Sequence, residues 1–318
     1  MKALLLDETH PFLERDLVRG GLELVREYRL LPDEFPPEHF EADALIVRSR
    51  FPINAAFLSR FRRLKTIGRL GAGLENIDLD YCAAHGIAAH RVPEGNARAV
   101  AEHALAMLLS LLNHLPRAQR EVREGLWRRE ENKGTELQSL VVGIIGYGPM
   151  GSGFAQLLHA MGVEVCVYDK YKQCYAPEGI QEASLQELYS RVNVVSLHLP
   201  LTSETRGYAG ADFFHSFAHP VHFLNTARGP IVQTAALVDA LRSGKVLSAG
   251  LDTLEYEKGS FTALASDSGA ALPEPLQALL ALEQVIVTPH IAGWTTQSFE
   301  KMGAGLAAKV LASLAQAP

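Results

Sequence analysis

Short apolar runs alternate with longer amphipathic segments along the whole chain. Apolar runs bounded by turn residues are typical of buried strands, whereas apolar positions three and four residues apart indicate helices. The candidate strands are Ala3–Leu6, Ala44–Val47, Thr66–Leu70, Val141–Ile145, Val163–Tyr168, Asn193–Leu197, Val221–Asn225, Val246–Leu251 and Val285–Val287. The candidate helices are Ala97–Leu112, Pro116–Trp127, Pro149–Met161, Leu185–Ser190, Thr234–Ser243 and Thr296–Leu314. This alternation predicts an α/β fold with parallel sheets.

The length of the chain predicts more than one domain. It has 318 residues, of which 47% are hydrophobic and 21% are charged, and chains of this length usually form two domains. The N-terminal apolar run is closed by Asp7 and is too short for a signal peptide or a membrane span. Charged and polar residues interrupt Ala97–Leu112, so we interpret that region as a buried helix.

Charge and cysteine content exclude several classes of partner. The net charge of −6 is spread along the chain without a basic tract, which argues against nucleic acid and membranes as partners. The three cysteines, Cys82, Cys166 and Cys174, form no CxxC pair and no metal-binding spacing. We therefore expect reduced thiols, a cytoplasmic location and no metal site.

A glycine-rich segment follows the candidate strand Val141–Ile145. The residues Gly146, Tyr147, Gly148, Pro149, Met150 and Gly151 fit the pattern G-x-G-x-x-G and run into a candidate helix. Glycines here let the backbone approach a pyrophosphate at the positive end of the helix, and proline suits a first helical turn. Taken alone, the pattern also fits a plain strand-turn-helix corner. The strand before it and the helix after it favour a dinucleotide site.

An acidic residue in the next strand indicates which dinucleotide binds. Asp169 ends that strand, where a carboxylate can accept the ribose hydroxyls of NAD and repel the 2′-phosphate of NADP. We therefore expect NAD as the cofactor. Lys170 and Lys172 leave NADP as an alternative, since nearby cations could help to bind a phosphate.

Three later segments place polar residues just after a candidate strand. Arg228 lies in NTARGP, Glu257 in GLDTLEYEK and His290 in VTPHIAGWT. In an open parallel sheet that edge is where ligands bind. Each residue alone could be an ordinary salt bridge, a solvated charge or a backbone-bonded histidine, but together with the glycine loop they indicate a reaction site.

Their chemistry suits oxidation of a 2-hydroxy acid. An arginine can bind the carboxylate through two hydrogen bonds and polarise the neighbouring carbonyl. A histidine can take up and return the hydroxyl proton, and a glutamate beside it would orient the imidazole and favour its protonated form.

Several motifs in fixed order resemble one family. Besides the glycine loop they are IGRLGAGLENID (67–78), PEGNARAVAEHAL (93–105), SLHLPLT (196–202), NTARG, GLD and TPHIAGWT. The chain resembles the NAD-dependent D-isomer-specific 2-hydroxyacid dehydrogenase family over nearly its whole length, and especially its D-3-phosphoglycerate dehydrogenase-like branch. The resemblance implies two Rossmann-like doubly wound parallel-sheet domains with an active-site cleft between them. A discontinuous substrate domain, 1–96 plus 292–318, would accompany an NAD-binding domain, 97–291.

The resemblance also assigns residues to roles. It implies that Arg228, Glu257 and His290 are catalytic; Glu255 is a rival for the glutamate, but the family spacing from Asp252 favours Glu257. For the cofactor, besides the glycine loop, Asp169, Arg228 and His290, it implies contacts from His198, Pro200, Thr226, Ala227 and Asp252. For the substrate, besides Arg228 and His290, it implies Arg48, Ser49, Ala72, Gly73 and Asn96, and Arg50 could add a further cation for a phosphate. Arg48 and Arg50 could equally be solvated charges, and Trp294 could line the pocket or only pack.

The expected function is hydride transfer between NAD(H) and a D-2-hydroxy acid, with D-3-phosphoglycerate as the leading substrate. Alternatives are glyoxylate or hydroxypyruvate reduction, D-lactate or 4-phosphoerythronate oxidation, and an NAD-sensing co-repressor-like role without turnover. The resemblance implies a homodimer through Ala97 to about Leu137. Since the chain ends soon after the last candidate helix, we expect no C-terminal regulatory domain. The residues after Glu257 depart from the family, with Lys258 in place of the common proline and a longer segment that we expect to be a surface loop.

Overall fold

The computed structural model describes residues 1–71, 73–257 and 271–316. The chain forms two compact units, Met1–Asn96 with Trp294–Pro318, and Ala97–Gly293. Ala72 and the segment 258–270, which includes Lys258 and most of the expected surface loop, lie outside the described residues.

The first unit begins with a parallel sheet. Its described N-terminal elements are β1 (Lys2–Leu5), α1 (Pro11–Arg19), β2 (Glu23–Arg26), β3 (Ala44–Val47), α2 (Ala55–Leu58), β4 (Thr66–Arg69), α3 (Leu79–Ala84) and β5 (Ala88–His90). The strand order is β2-β1-β3-β4-β5, with every described pair parallel. This is the flavodoxin-like order of doubly wound folds.

The second unit contains a larger parallel sheet. Its described elements are α4 (Ala97–Leu112), α5 (Leu115–Arg123), β6 (Val141–Ile145), α6 (Pro149–Ala160), β7 (Glu164–Tyr168), β8 (Gln181–Glu182), α7 (Leu185–Arg191), β9 (Val194–Leu197), α8 (Ala211–His215), β10 (Val221–Asn225), α9 (Thr234–Arg242), β11 (Val246–Leu251), α10 (Glu274–Leu280) and β12 (Val285–Val287). The order is β12-β11-β10-β9-β6-β7-β8. The strand order therefore reverses at β6, as in Rossmann sheets.

Each sheet is covered on both faces by a hydrophobic core. Alternate residues of a strand point to opposite sides, so each strand contributes side chains to both cores. In β6, Val142 and Ile144 belong to a core with Phe154 of α6, whereas Ile145 belongs to a second core with Leu237 of α9. Buried parallel strands of this kind explain the uninterrupted apolar runs in the sequence.

The last helix, α11 (Thr296–Gln316), packs within the first unit. Its Met302, Leu306 and Val310 share a core with Leu5 of β1. It lies so close to β4 that a Cβ atom on Gly68 would be 3.0 Å from Val310 Cγ2.

The expected α/β class with two Rossmann-like parallel-sheet domains is confirmed. The predicted helix Pro116–Trp127 is wrong at both ends, since α5 begins at Leu115 and ends at Arg123, and Gly125 then adopts φ +80. The sequence pattern also missed β2, β5 and β8, which are short or carry charged residues. Among the described residues, no helix is both long and apolar enough to cross a bilayer.

Candidate active site

The candidate residues of the second unit follow neighbouring parallel strands. In the register, Leu251 of β11 pairs with both Asn225 of β10 and Val287 of β12. The segments after these three strands therefore lie at one edge of the sheet, together with the glycine loop after β6. Since adjacent strands are about 4.8 Å apart, the segments that carry Arg228 and His290 are roughly 10 Å apart at their strand ends.

The glycine loop has the backbone that a bound pyrophosphate requires. Gly146 has φ +96, and a Cβ atom there would lie 2.5 Å from the carbonyl oxygen of His198. A Cβ atom on Gly151 would lie 2.0 Å from the carbonyl oxygen of Gly146, whereas one on Gly148 would meet no atom within 4 Å. The first and third glycines thus serve close packing, and the second leaves open space at the start of α6. This arrangement fits the phosphate groups of a dinucleotide.

Asp169 lies beside this loop. Its Oδ2 accepts the N–H of Tyr147 at 2.9 Å, and its Oδ1 accepts the N–H of Tyr171 at 3.0 Å. The two lysines that could have favoured a 2′-phosphate have protein partners: Lys170 forms an ion pair with Glu204, and Lys172 donates to the carbonyl oxygen of Tyr147. The local charges favour NAD.

Two buried polar atoms at the same edge could contact a ligand. Thr226 Oγ1 and His198 Nδ1 have no hydrogen-bond partner among the described residues. His198 Nε2 lies 2.8 Å from Ser196 Oγ, and burial lowers the pKa of His198 to about 4, so the ring is neutral. Pro200 follows in the same segment, and Ala227 is buried beside Thr226. Together with the open space at Gly148, these atoms fit a bound NAD.

The segment that carries Arg228 is fixed by an asparagine. Asn225 Oδ1 accepts the N–H of Ala227 at 3.0 Å, and Asn225 Nδ2 donates to the carbonyl oxygen of Arg228 at 3.1 Å. Gly229 comes next, where a Cβ atom would lie 1.8 Å from the carbonyl oxygen of Leu254. The segment after β10 therefore packs directly on the one after β11.

His290 and Glu257 form a hydrogen-bonded pair. His290 Nδ1 lies 2.8 Å from Glu257 Oε2, and Glu257 Oε1 accepts the N–H of Leu254 at 2.5 Å. The two side chains are 26% and 13% exposed, so the imidazole is still open to solvent. An ionised carboxylate can only accept, so Nδ1 carries a proton and Nε2 is the atom that can exchange one.

The rival glutamate has a different role. Glu255 Oε2 accepts the N–H of Thr234, the first residue of α9, at 2.9 Å. It therefore satisfies one of the unpaired N–H groups at a helix start. The structure pairs Glu257, and not Glu255, with His290.

Asp252 is 1% exposed and binds protein groups. Its Oδ1 accepts the N–H of Ile291 at 2.9 Å and the hydroxyl of Thr288 at 2.5 Å, and its Oδ2 accepts the N–H of Ala292 at 2.8 Å. Its visible role is to bind the segment around His290. The contact with nicotinamide that the sequence suggested stays a prediction.

Apart from Arg228 and His290, the candidate substrate residues belong to the first unit. Arg48 and Ser49 follow β3, Gly73 follows β4, and Asn96 ends the N-terminal part of the unit with a buried Oδ1 that has no partner among the described residues. Ala72 lies outside the described residues.

The Arg48 guanidinium lies 5.0 Å from the ring centre of Trp294, a cation–π distance. Arg50, also after β3, has three buried guanidinium nitrogens without a hydrogen-bond partner in the described part of the chain.

Sequence reasoning missed two polar residues near these sites. Arg69 ends β4, is 6% exposed and donates from Nε to the carbonyl oxygen of Arg48 at 3.2 Å. His103, on α4, lies 3.0 Å from Thr288 Oγ1 through Nε2. In both cases a signal was available, since each polar residue lies in a mainly apolar element of the sequence.

Comparison with known proteins gives one consistent group. The model of the NAD binding domain of D-isomer specific 2-hydroxyacid dehydrogenases matches residues 105–292. D-3-phosphoglycerate dehydrogenase of Mycobacterium tuberculosis is 37% identical over 277 residues, covering 86% of this chain and 50% of the relative. That of Archaeoglobus fulgidus is 33% identical over 287 residues, covering 90% and 52%. The chain spans about half the length of the curated relatives it matches.

A solved structure matches along nearly its full length. D-lactate dehydrogenase from Aquifex aeolicus, complexed with NAD and lactic acid, superposes with a TM-score of 0.84 at 30% identity. The match covers 99% of this chain and 96% of that one.

Proposed function

This chain belongs to the D-isomer specific 2-hydroxyacid dehydrogenase family, and from that premise we propose that it interconverts a D-2-hydroxy acid and its 2-keto acid with NAD(H). The observation that carries the proposal is the 2.8 Å pair of His290 Nδ1 and Glu257 Oε2 at the sheet edge that also bears the glycine loop. The roles of the residues named above are part of the proposal.

The residues of the second unit divide the work. NAD, when bound at the glycine loop, would supply the hydride chemistry at C2 of the hydroxy acid or keto acid. His290 Nε2 takes the hydroxyl proton during oxidation and gives it back during reduction, while Glu257 keeps Nδ1 protonated and the ring oriented. Arg228 binds the carboxylate of the substrate and polarises the carbonyl oxygen. The glycine loop and Asp169 bind the pyrophosphate and the adenosine ribose.

We propose D-3-phosphoglycerate and 3-phosphohydroxypyruvate as the substrate pair. Three arginines on the first unit support a phosphate group: Arg69 donates to the backbone of Arg48, and the buried guanidinium of Arg50 has no hydrogen-bond partner among the described residues. A phosphate would supply acceptors for the guanidinium nitrogens of Arg50. The names of the curated relatives agree with this choice.

D-lactate is the second candidate. The structural relative from Aquifex aeolicus is named a D-lactate dehydrogenase and is complexed with lactic acid. Its substrate lacks a phosphate, so phosphate dependence separates the two candidates.

A panel of keto acids tests both the proposed dehydrogenase activity and the proposed phosphorylated substrate. Purified protein with NADH is assayed on phosphohydroxypyruvate, hydroxypyruvate, glyoxylate and pyruvate. We expect phosphohydroxypyruvate to give the highest kcat/KM. Arg50→Met should lower kcat/KM for phosphohydroxypyruvate about tenfold and leave kcat/KM for pyruvate unchanged, because only the phosphate contact is lost. Arg62→Met, at an exposed arginine, is the matched control.

Two possible results test the proposed substrate and the proposed activity separately. Equal turnover of phosphohydroxypyruvate and pyruvate by wild type would refute the phosphate role and leave the dehydrogenase. NADH binding without turnover of any keto acid would refute the dehydrogenase and favour an NAD sensor.

We further propose a cytoplasmic homodimer whose interface includes the segment around α5. Leu115, Val122 and Trp127, which lie on or just after α5, are 54%, 53% and 78% exposed, and this proposal takes them as one apolar contact surface. Trp127→Glu should shift the molar mass measured by light scattering from a dimer to a monomer. A wild-type protein that is already monomeric would exclude the dimer.

A further inference from the structure

A buried polar group lies next to the catalytic histidine and has no role in the chemistry described above. It consists of His103 on α4, Thr288 after β12 and Asp252 after β11. His103 Nε2 is 3.0 Å from Thr288 Oγ1 and 3.5 Å from Asp252 Oδ1, and Thr288 Oγ1 is 2.5 Å from the same Oδ1. The side chains of His103 and Asp252 are 21% and 1% exposed.

The direction of these hydrogen bonds follows from the donors available. An ionised Asp252 can only accept, so the single hydroxyl proton of Thr288 points to Asp252. The lone pairs of Thr288 Oγ1 are then left for His103, whose Nε2 must carry a proton and donate. Asp252 also needs donors, because a buried carboxylate without enough hydrogen bonds is costly.

The group fixes the backbone on both sides of His290. Before it, the Thr288 N–H donates to Leu251 O at 2.9 Å, and the Thr288 carbonyl accepts the His290 N–H at 2.9 Å. After it, Asp252 accepts the N–H groups of Ile291 and Ala292. His290 itself has φ +55, a conformation that non-glycine residues rarely adopt. A strained residue of this kind persists only where its surroundings determine it.

We propose that His103 is a positioning residue for His290: by donating to Thr288 and facing Asp252, it fixes the backbone that aims the imidazole at Glu257 and the substrate. The inference rests on the proposed function of His290. It extends the active site to a side chain of α4.

Two substitutions of His103 separate positioning from packing. His103→Met keeps the volume and removes the donor, whereas His103→Gln keeps a side-chain N–H that can reach Thr288. We expect His103→Met to lower kcat by about 10- to 100-fold, since a displacement near 1 Å can cost about 100-fold. His103→Gln should recover kcat to within about threefold of wild type. The dissociation constant of NADH should stay within about twofold for both, because the glycine loop is untouched.

Glu102→Gln is the matched control. Glu102 is the neighbouring residue on α4, is exposed and pairs with Arg98 on the same helix. Its substitution should change neither kcat nor NADH affinity. Equal kcat values for His103→Met and wild type, or no recovery in a folded His103→Gln, would overturn the proposal.

A double-substitution cycle tests the path of the effect. Thr288→Val removes the acceptor of His103 and should lower kcat at least as much as His103→Met. The double variant should then be no slower than Thr288→Val alone, because both substitutions break the same hydrogen bond, the one between His103 and Thr288. If the losses of kcat in the two single variants multiply in the double variant, His103 does not act through Thr288, and this part of the proposal is overturned.

A readout without turnover keeps the inference separate from the proposed function. In ¹⁵N-histidine NMR spectra, assigned with His290→Gln, the Nδ1 proton of His290 should give a protected signal in wild type and an exchange-broadened one in His103→Met. A protected signal in both proteins would refute the positioning role. If wild type turns over no keto acid, the proposed function fails, and this measurement alone decides whether His103 positions His290.

Discussion

Alanine at two positions of the glycine loop should separate cofactor binding from folding. A Cβ atom on Gly148 meets no atom within 4 Å, and Gly148 already has the extended φ of −80 that alanine accepts. A Cβ atom on Gly151 would lie 2.0 Å from the carbonyl oxygen of Gly146 and 3.3 Å from His198 Cβ. One methyl group therefore enters open space, and the other enters packed backbone.

The magnitudes follow from these distances. For Gly148→Ala the free energy of unfolding should change by less than about 1 kcal/mol, because a weaker helix cap is offset by a less flexible unfolded chain. If a pyrophosphate approaches this backbone, the methyl group costs about 1–3 kcal/mol of binding, which weakens NADH about 5- to 150-fold. For Gly151→Ala the same steric cost falls on the fold, and it lowers Tm by roughly 2–12 °C.

Calorimetry and NADH fluorescence titration measure the two effects on the same preparations. Gly148→Ala should keep the wild-type Tm and lose NADH affinity, and Gly151→Ala should lose thermal stability. Wild-type NADH affinity in Gly148→Ala would show that the pyrophosphate does not lie over this glycine. An unchanged Tm in Gly151→Ala would mean that the contact with Gly146 does not constrain the start of α6.

Glu257→Gln should lower kcat/KM for keto-acid reduction about 10- to 100-fold through loss of a charged hydrogen bond, while Glu255→Gln, at the cap of α9, should leave it unchanged; equal rates for both variants would contradict the assignment. Asp169→Ala should weaken NADH about tenfold and reduce discrimination against NADPH in competition titrations; an unchanged preference would move selectivity elsewhere. Burial lowers the pKa of His222, which lies 2.7 Å from Ser248 Oγ, to about 4, so its contribution to stability is complete above pH 6.5, the usual histidine value, and is lost as pH falls to 4. Urea unfolding should therefore show about 2 kcal/mol more loss between pH 7 and pH 5 in wild type than in His222→Gln, and equal losses would exclude His222 as a cause.

Element prediction succeeded where a strand is continuously apolar and failed where a strand is short or carries charged residues. The strands Ala44–Val47, Val141–Ile145 and Val221–Asn225 have the predicted bounds, because both faces of each are covered and every residue is under pressure to be apolar. The edge strands β2 and β8 contain charged residues and have one neighbour each. They lack the continuous apolar pattern that identifies a strand, whereas the edge strand β12, with the sequence VIV, keeps that pattern and was predicted with its observed bounds.

The chain by itself determined the local chemistry. The glycine loop could be predicted from the sequence, because a strand, a sharp turn and a helix start each favour particular residue types and follow one another directly along the chain. The sequence also predicted a shared site for three polar residues that each follow an apolar run: Asp169, Arg228 and His290. The carboxyl ends of parallel strands meet at one edge of the sheet, which is why this position was informative.

Only the tertiary structure decided which side chains are partners. Glu255 and Glu257 differ by two residues, and packing of the segments after β10 and β11 directs one to the start of α9 and the other to His290. His103 is distant in sequence from Thr288, and only the packing of α4 on the sheet brings them together. Periodicity fixes which face of an element is buried, but a hydrogen bond between distant elements depends on how those faces dock, and no local pattern records that.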